Sequence, residues 1–397
     1  MRIYRRIVHF LCMFIVISKW RRKIRRRLYA FPENIVSSRE VKRFVLTPVY
    51  EKSILLLEPN PFHGECMPGL VKYFQDLGYN IDFIMQPVME KVAPFSRYNS
   101  QNIRNIFYIY LDGQKKALQS DKIKRYDFVF FVTSFGAYDG TIKTFPDWLG
   151  FIPKTKYGFF MIEHSLNSVE QYGYGKFACA ARQIFTLAGW GNFPILTPNY
   201  FGDVKINEKN KRVIFIVTMN AANSKPVSTK VMFDAIIKLM SRGISDFKVV
   251  ITGSLIRRRI PDNLAGIVEQ IGYVDFSTLW DSYEKSDFLI AMLNPDLPEQ
   301  EKYKGKCMTG SWPTMMGFKK PMLMHKEFAP YYKLDQYNAI VYNCNDELAD
   351  AMEQAIKMNV EQYKLLQKNI TKLTDDIYSE SIHNLKKVIE NAENDKY

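Results

Sequence analysis

Two titratable side chains lie close together after an apolar run near the start of the chain. The run SILLLE at Ser53–Glu58 is followed by Pro61-Phe62-His63-Gly64-Glu65. A histidine and a carboxylate on either side of a glycine, which permits a sharp turn, suit general acid–base chemistry. Simpler roles fit as well, because a helix dipole stabilises an acid at its N-terminus and a histidine can hydrogen-bond its own loop. His164, in the sequence IEHS, is a second catalytic candidate after another apolar run.

A different pattern, Thr309-Gly310-Ser311, precedes a predicted helix that contains Trp312–Gly317. Pro313 suits the first turn of such a helix. The free backbone N–H groups and the dipole at a helix N-terminus favour a phosphate, and the two hydroxyls add further donors. Gly310 would let a ligand approach the backbone closely. The alternative is that Thr309 or Ser311 only caps the helix.

Apolar runs that alternate with helical stretches must position these groups. In the first half of the chain they predict strands at Ser53–Glu58, Tyr79–Met85, Tyr126–Thr133 and Tyr157–Ile162, with a helix at Cys66–Gly78. In the second half they predict strands at Arg212–Thr218, Phe247–Thr252, Ile271–Val274, Asp287–Leu293, Lys320–Met324 and Ala339–Tyr342. Helices are predicted between them at Val227–Arg242, Thr278–Lys285 and Glu347–Met358. Strands alternating with helices indicate parallel α/β sheets.

Two successive α/β units joined near residue 205 predict an α/β protein of two Rossmann-like domains, residues 50–204 and 205–375, facing each other across a cleft. A chain of 397 residues is long enough for both cores. Ligands of such sheets bind outside the carboxyl ends of the strands, so the cleft is the expected binding site. Epimerases, phosphorylases and periplasmic binding proteins also carry two such units, and the fold alone therefore does not decide function.

The net charge of +14 is concentrated in one segment. Residues 1–30 contain ten lysines and arginines and no acid, which leaves +4 for the remaining 367 residues. The body of the chain thus lacks the extended basic face of a nucleic-acid-binding protein. The apolar run Ile7–Ser18 is too short to span a bilayer, and a basic cluster follows it instead of a cleavage site. We predict an amphipathic helix on an anionic membrane surface; a helix docked on the protein's own core is the alternative.

Five scattered cysteines, Cys12, Cys66, Cys179, Cys307 and Cys344, form no C-x-x-C pair. Neither a disulfide framework nor a zinc site is indicated, and a reducing compartment is expected. Together with the basic segment, this places the protein at the cytoplasmic face of the inner membrane, as a peripheral protein.

Over about Ser53–Asn384 the order of motifs resembles bacterial GT-B glycosyltransferases that build surface polysaccharide or lipopolysaccharide. The second unit opens with a strand, a loop with a basic residue and a helix, RVIFIVTMNAANSKPVSTKVMFDAIIKLMSRG. There follow FKVVITG, the G-x-V turn Gly272-Tyr273-Val274, the strand SDFLIAML, and GSWPTMMGFKKP with its G-x-x-K-P ending.

The resemblance implies that Lys225 meets the donor diphosphate, and that Gly272, Tyr273 and Val274 line a pocket for the nucleotide base, with Gly253 near it. It also implies that His164 lies near the donor sugar, and that residues 376–397 form a helix crossing back to the first domain. The chain departs from many retaining members, because Lys306–Lys320 contains no acidic residue. The absence of any D-x-D sequence agrees with a metal-independent enzyme, so no metal or other cofactor is expected.

These observations predict a glycosyltransferase that moves a sugar from a nucleotide-sugar donor to a lipid-linked or saccharide acceptor. One alternative is a nucleotide-sugar 2-epimerase, although those enzymes are soluble and need no membrane anchor. The other is a non-enzymatic, membrane-docked sugar-binding or scaffold protein. The expected partners are the donor, the acceptor and an anionic membrane, with no nucleic acid.

Overall fold

The computed structural model describes residues 2–13, 24, 33, 35–61, 63–133, 154–164, 181–199, 204, 206–219, 226–254 and 260–395. Within these residues the chain forms two sheets of six parallel strands each. Both sheets have helices on both faces, and they follow one another along the chain.

The first sheet contains β1 to β6, which are Ser53–Glu58, Asn80–Met85, Ile103–Tyr108, Phe128–Phe131, Phe159–Glu163 and Gln183–Thr186. Their order is β3-β2-β1-β4-β5-β6, so β1 and β4 are the two central strands. All six residues of β1 are buried. Ile54 and Leu56 belong to one hydrophobic core, and Leu55 and Leu57 belong to another on the opposite face. This burial on both faces explains why the run is apolar throughout.

The second sheet contains β7 to β12, which are Val213–Met219, Phe247–Gly253, Val268–Gly272, Phe288–Ile290, Met322–His325 and Ile340–Tyr342. Their order is β12-β11-β10-β7-β8-β9, so the first strand of this unit again lies beside the fourth. Both sheets therefore have the strand order of a dinucleotide-binding Rossmann fold. The predicted pair of Rossmann-like domains is confirmed.

The helices connect and cover these strands. Helix α1 is Arg2–Met13, and α2 occupies residues 35–46. In the first domain, α3, α4 and α5 are Met67–Asp76, Val88–Val92 and Leu111–Leu118. In the second domain, α6 to α9 are Pro226–Ser241, Phe276–Lys285, Ser311–Phe318 and Leu348–Lys357, and the chain ends with the long helix α10, Val360–Asn394.

Two strands of the first sheet, β3 and β6, are missing from the sequence prediction. Both are outer strands, and β3 is only partly buried. An outer strand needs fewer apolar residues than a central one, which leaves a weaker pattern. Strand β9 begins and ends earlier than predicted, so that Tyr273 and Val274 follow the strand instead of forming its end.

Helix α10 contacts both domains. Near its start, Tyr363 donates a hydrogen bond to the Asp287 carbonyl over 3.0 Å. Further along, the ring of Tyr378 stacks on that of Tyr73 in α3, with centroids 4.9 Å apart. Near its end, the amide of Asn384 donates to the carbonyl of Ile195 over 3.2 Å. The helix thus fastens the first domain to the second.

The N-terminal helices expose apolar side chains. On α1, Val8 and Cys12 are buried, while Ile7, Phe10 and Leu11 are 52%, 56% and 56% exposed. No helix within the described residues is long and apolar enough to cross a membrane.

Candidate functional site

A cleft of about 400 Å³ lies between the two domains. Its floor is formed where parallel strands end: after β1 in the first domain, and at the ends of β7, β8 and β9 in the second. Seven of the residues predicted from sequence line it, and they come from both domains: His63, Glu65, Gly253, Gly272, Tyr273, Val274 and Gly310. The cleft is where Rossmann-like sheets bind ligands.

The loop after β1 enters the cleft with a tightly turned backbone. His63 has a φ of 67°, in the left-handed region that side chains other than glycine seldom adopt. A Cβ atom on the next residue, Gly64, would lie 2.4 Å from the ring of Phe276 in α7. Only glycine therefore lets the loop pack this closely on the second domain. The histidine and Glu65 are held on either side of that contact.

Burial controls the charge of both titratable groups in this loop. The His63 side chain is 27% exposed, yet burial, with a smaller effect of His164, holds the pKa of His63 well below its usual range. Burial also raises the pKa of Glu65. Desolvation disfavours the charged form of each group. A neutral imidazole at the edge of a cleft can accept a proton, as a general base must.

His164 lies beside His63, with ring centroids 4.5 Å apart. Its Nε2 atom is 3.3 Å from the carbonyl oxygen of Val132, which places the proton of a neutral ring on Nε2. Burial lowers the pKa of His164 to about 4. His63 lines the cleft, whereas His164 is not among the described residues that line it.

On the second domain, two turns bring backbone close to the cleft. Gly253 ends β8 with a φ of 86°, and a Cβ atom there would lie 2.3 Å from the carbonyl oxygen of Met219. Gly272 ends β9, and Tyr273 follows it with 80% of its surface exposed. The Tyr273 hydroxyl is 2.7 Å from that of Ser254. An exposed aromatic ring with an anchored hydroxyl offers a flat face to a planar ligand.

The start of α8 forms another part of the wall. Gly310 is the N-cap residue and lines the cleft, with no atom within 4 Å of the position a Cβ would occupy. Ser311 is buried as the first helical residue. The N–H of Thr309 donates to the Tyr332 hydroxyl over 3.3 Å, so that N–H already has a partner. The open backbone of this turn is therefore at Gly310.

The aromatic wall of the cleft was not recognised from the sequence. Phe276, Trp280 and Tyr283 of α7 all line it, and the first two rings lie 4.9 Å apart. Tyr283 also hydrogen-bonds the hydroxyl of Thr218 at the end of β7. Spacings of four and three residues place these rings on one helix face, which is the signal that could have indicated them.

Lys225 lies outside the described residues, so its expected contact with a diphosphate stays a prediction. Among the residues described, no group of three or more His, Cys, Asp or Glu side chains is arranged to hold a metal ion.

Compared by sequence, the chain matches no protein-family model and no curated protein. Compared by structure, it is similar to Anabaena HepE, whose crystal structure is in complex with UDP-glucose, with 12% identity and a TM-score of 0.55 over 85% of this chain and 99% of that one. It is also similar to TarM, with 9% identity and a TM-score of 0.58 over 87% of this chain and 100% of that one. The strand orders and these likenesses identify the fold as GT-B, as predicted.

Proposed function

We propose that this protein is a glycosyltransferase that moves a sugar from a nucleotide-sugar donor to a lipid-linked or saccharide acceptor. One observation carries the proposal: a single cleft is lined by titratable groups of the first domain, His63 and Glu65, and by glycine turns of the second domain. A transferase needs both, because the acceptor hydroxyl must lose a proton while the donor leaves as a nucleoside diphosphate.

On the donor side, the ring of Tyr273 would stack on the base; its exposure in the cleft, next to the turns at Gly253 and Gly272, supports this role. The N-terminus of α8 at Gly310 would receive the diphosphate, because its N–H groups and dipole favour negative charge. Lys225 would offset the charge that develops on the leaving phosphate. Together these groups do the work that a metal does in other transferases.

On the acceptor side, His63 or Glu65 would take the proton from the attacking hydroxyl. Both groups face the cleft. Burial favours the neutral form of each, which leaves the imidazole of His63 able to accept a proton, whereas Glu65 can accept one only in its ionised form. A histidine whose pKa is held low is neutral near pH 7, so one of its two ring nitrogens carries a lone pair that can accept a proton. His164, behind His63, would maintain the position of that ring.

The acceptor is proposed to be presented at an anionic membrane during cell-surface polysaccharide synthesis. Besides the ten basic residues within 1–30, the first 50 residues contain more than half of the described large apolar side chains that are exposed. Those on the N-terminal helices include Ile7, Phe10 and Leu11 of α1, and Val45 and Leu46 of α2. Basic and apolar groups together are what binds a helix to the headgroup region.

The test of enzymatic function begins with a thermal-shift screen of the full chain against UDP-, GDP- and CMP-linked sugars, starting with UDP-glucose. Release of the nucleoside diphosphate is then measured with each donor that stabilises the protein, with and without saccharide and lipid-linked acceptors. His63→Ala and Glu65→Gln should each bind donor as the parent does, while transfer falls on the order of 100-fold in the variant lacking the base. His383→Ala, on the exposed face of α10, is the matched control.

Other outcomes separate the alternatives. Interconversion of the donor sugar without acceptor would indicate an epimerase, and donor binding without any turnover would indicate a sugar-binding protein. If both cleft variants transfer sugar at the parental rate, the base lies elsewhere.

Membrane binding is tested by co-sedimentation with vesicles that contain anionic lipid. Deleting residues 1–30 should release the protein, and neutral vesicles should bind the full chain more weakly. Equal sedimentation of the full and truncated chains would refute the membrane proposal.

A further inference from the structure

A buried carboxyl group lies directly behind the cleft histidine. Glu58 is the last residue of β1 and is fully buried, although an acid at this depth is costly unless it has partners. Its Oε2 atom is 3.9 Å from Nδ1 of His63. This acid ends one of the two central strands of the sheet and lies next to the loop that enters the cleft.

The two oxygens of this carboxyl group have different environments. Oε1 accepts hydrogen bonds from the backbone N–H of Asn60 over 2.7 Å and from the hydroxyl of Thr133 over 2.9 Å. Oε2 is buried and has no hydrogen-bond partner within the described residues. The first oxygen thus anchors the side chain. The second lies 3.9 Å from Nδ1 of His63, about 1 Å longer than a hydrogen bond, so a small movement of either side chain would join the two.

The two edges of the His63 ring also have different environments. Its Nδ1 atom is buried, whereas 27% of the side chain is exposed at the cleft. The ring therefore turns Nδ1 inward, toward Glu58, and its other edge outward. A base that acts in the cleft must use the outward nitrogen, Nε2.

We propose that Glu58 is a positioning residue: its carboxylate holds the Nδ1–H of His63 and so keeps the proton-accepting lone pair on Nε2. The consequence for sugar transfer rests on the function proposed above. A neutral imidazole carries one proton on either nitrogen, and only the Nδ1–H form has an Nε2 lone pair. The partner of the inward nitrogen therefore decides whether the ring can act as a base.

The proton balance follows from this arrangement. The acceptor hydroxyl gives its proton to Nε2 as its oxygen bonds to the sugar carbon, and the bond from that carbon to the phosphate oxygen breaks. The nucleoside diphosphate leaves with the electron pair of that bond. His63 is then an imidazolium paired with the Glu58 carboxylate, and it loses the Nε2 proton to water after product release.

The pair is active only when Glu58 is ionised. Burial raises the pKa of Glu58 to about 8; the bonds from Asn60 and Thr133 oppose this shift and nearby Glu65 adds to it. Among the described residues, His164 also faces His63, and its own pKa of about 4 keeps it neutral near pH 8. Burial raises the pKa of the nearby Cys66 thiol well above its usual value, so that group is neutral as well. Below pH 8 a protonated Glu58 donates to Nδ1, which leaves the ring proton on Nε2. The rate should therefore rise with pH through about 8.

The test uses the full chain labelled with ¹⁵N in its histidines, without any substrate. In the parent, the His63 nitrogen resonances should change from the Nε2–H to the Nδ1–H pattern with a midpoint near pH 8. In Glu58→Gln this change should vanish, because the amide does not titrate. In Thr133→Val the midpoint should move to higher pH, because the lost hydroxyl stabilises the carboxylate. The resonances that disappear in His63→Ala are those of His63, which assigns them.

Sugar transfer supplies an independent measurement. Glu58→Gln should lower kcat at pH 8 by at least about tenfold with the donor KM unchanged, and should remove the rise with pH. A His63 signal that titrates identically in parent and Glu58→Gln would overturn the proposal, whether or not the protein transfers sugar. If the NMR change is found and no sugar is transferred, only the proposed function fails.

Discussion

Gly310 is the N-cap residue of α8, and no atom lies within 4 Å of where its Cβ would be. Its φ of −60° suits any residue. Replacement by alanine gains roughly 0.4–1 kcal/mol by restricting the unfolded chain. Alanine is also a poorer N-cap than glycine, which costs up to about 1 kcal/mol. We expect these effects to offset, so that Gly310→Ala changes the free energy of unfolding by less than about 1 kcal/mol.

Donor binding should respond quite differently. The added methyl group would project into the cleft, where a phosphate is proposed to approach the backbone N–H groups of α8. Losing one hydrogen bond to a charged group costs about 1.5–3 kcal/mol, which corresponds to roughly 10- to 100-fold weaker binding. Gly310→Ala should therefore lose donor affinity while its free energy of unfolding stays close to that of the parent.

The assays are urea unfolding and calorimetric titration with the donor found in the screen. Gly266→Ala is the matched control, because this glycine also has nothing within 4 Å and lies outside the cleft. It should leave both quantities within about 1 kcal/mol of the parent. Parental donor affinity in Gly310→Ala would refute a phosphate at this turn, and a loss of affinity in Gly266→Ala as well would make the effect unspecific.

Three further predictions follow from other parts of the chain. Lys225→Ala should cost roughly 2–4 kcal/mol in transition-state stabilisation, measured as kcat/KM for the donor, and unchanged kinetics would remove Lys225 from the site. Leu385→Ala, at a fully buried position of α10, should lower the free energy of unfolding by about 2–5 kcal/mol, whereas the exposed neighbour Lys386→Ala should not. Because the pKa of His164 is lowered to about 4, the unfolded chain binds the extra proton between pH 6.5 and 4. The parent should lose stability across that window on acidification, and His164→Asn should lose less; equal losses in urea unfolding would contradict this.

The strongly buried strands could be predicted from the sequence because burial on both faces demands an uninterrupted apolar run. Ser53–Glu58 is recovered with its exact bounds, and Phe247–Gly253 to within one residue. The sequence does not predict two outer strands. Ile103–Tyr108 is partly exposed, which permits polar residues, and Gln183–Thr186 is only four residues long, which is too short for a clear pattern. Their existence depends on hydrogen bonds from a neighbouring strand, which a local pattern does not contain.

Much of the cleft was likewise accessible from the sequence, since glycines and polar groups after apolar runs lie at the carboxyl ends of parallel strands. His63, Gly253 and Gly272 are of this kind. The distances between helices and loops of the two domains could not be predicted from the sequence. That Gly64 meets Phe276, 212 positions later in the chain, follows only from how the two domains pack.

Glu58 is the clearest example of a residue whose role could not be predicted from the sequence. In the sequence it is the polar end of an apolar strand, with nothing to distinguish it from an acid that returns to solvent. The tertiary structure buries it between Thr133 and His63, which belong to different segments. The type and order of the buried strands were determined locally, by side-chain polarity and backbone preference. The charge, pKa and partners of each titratable group were determined by burial, which exists only once the chain has folded.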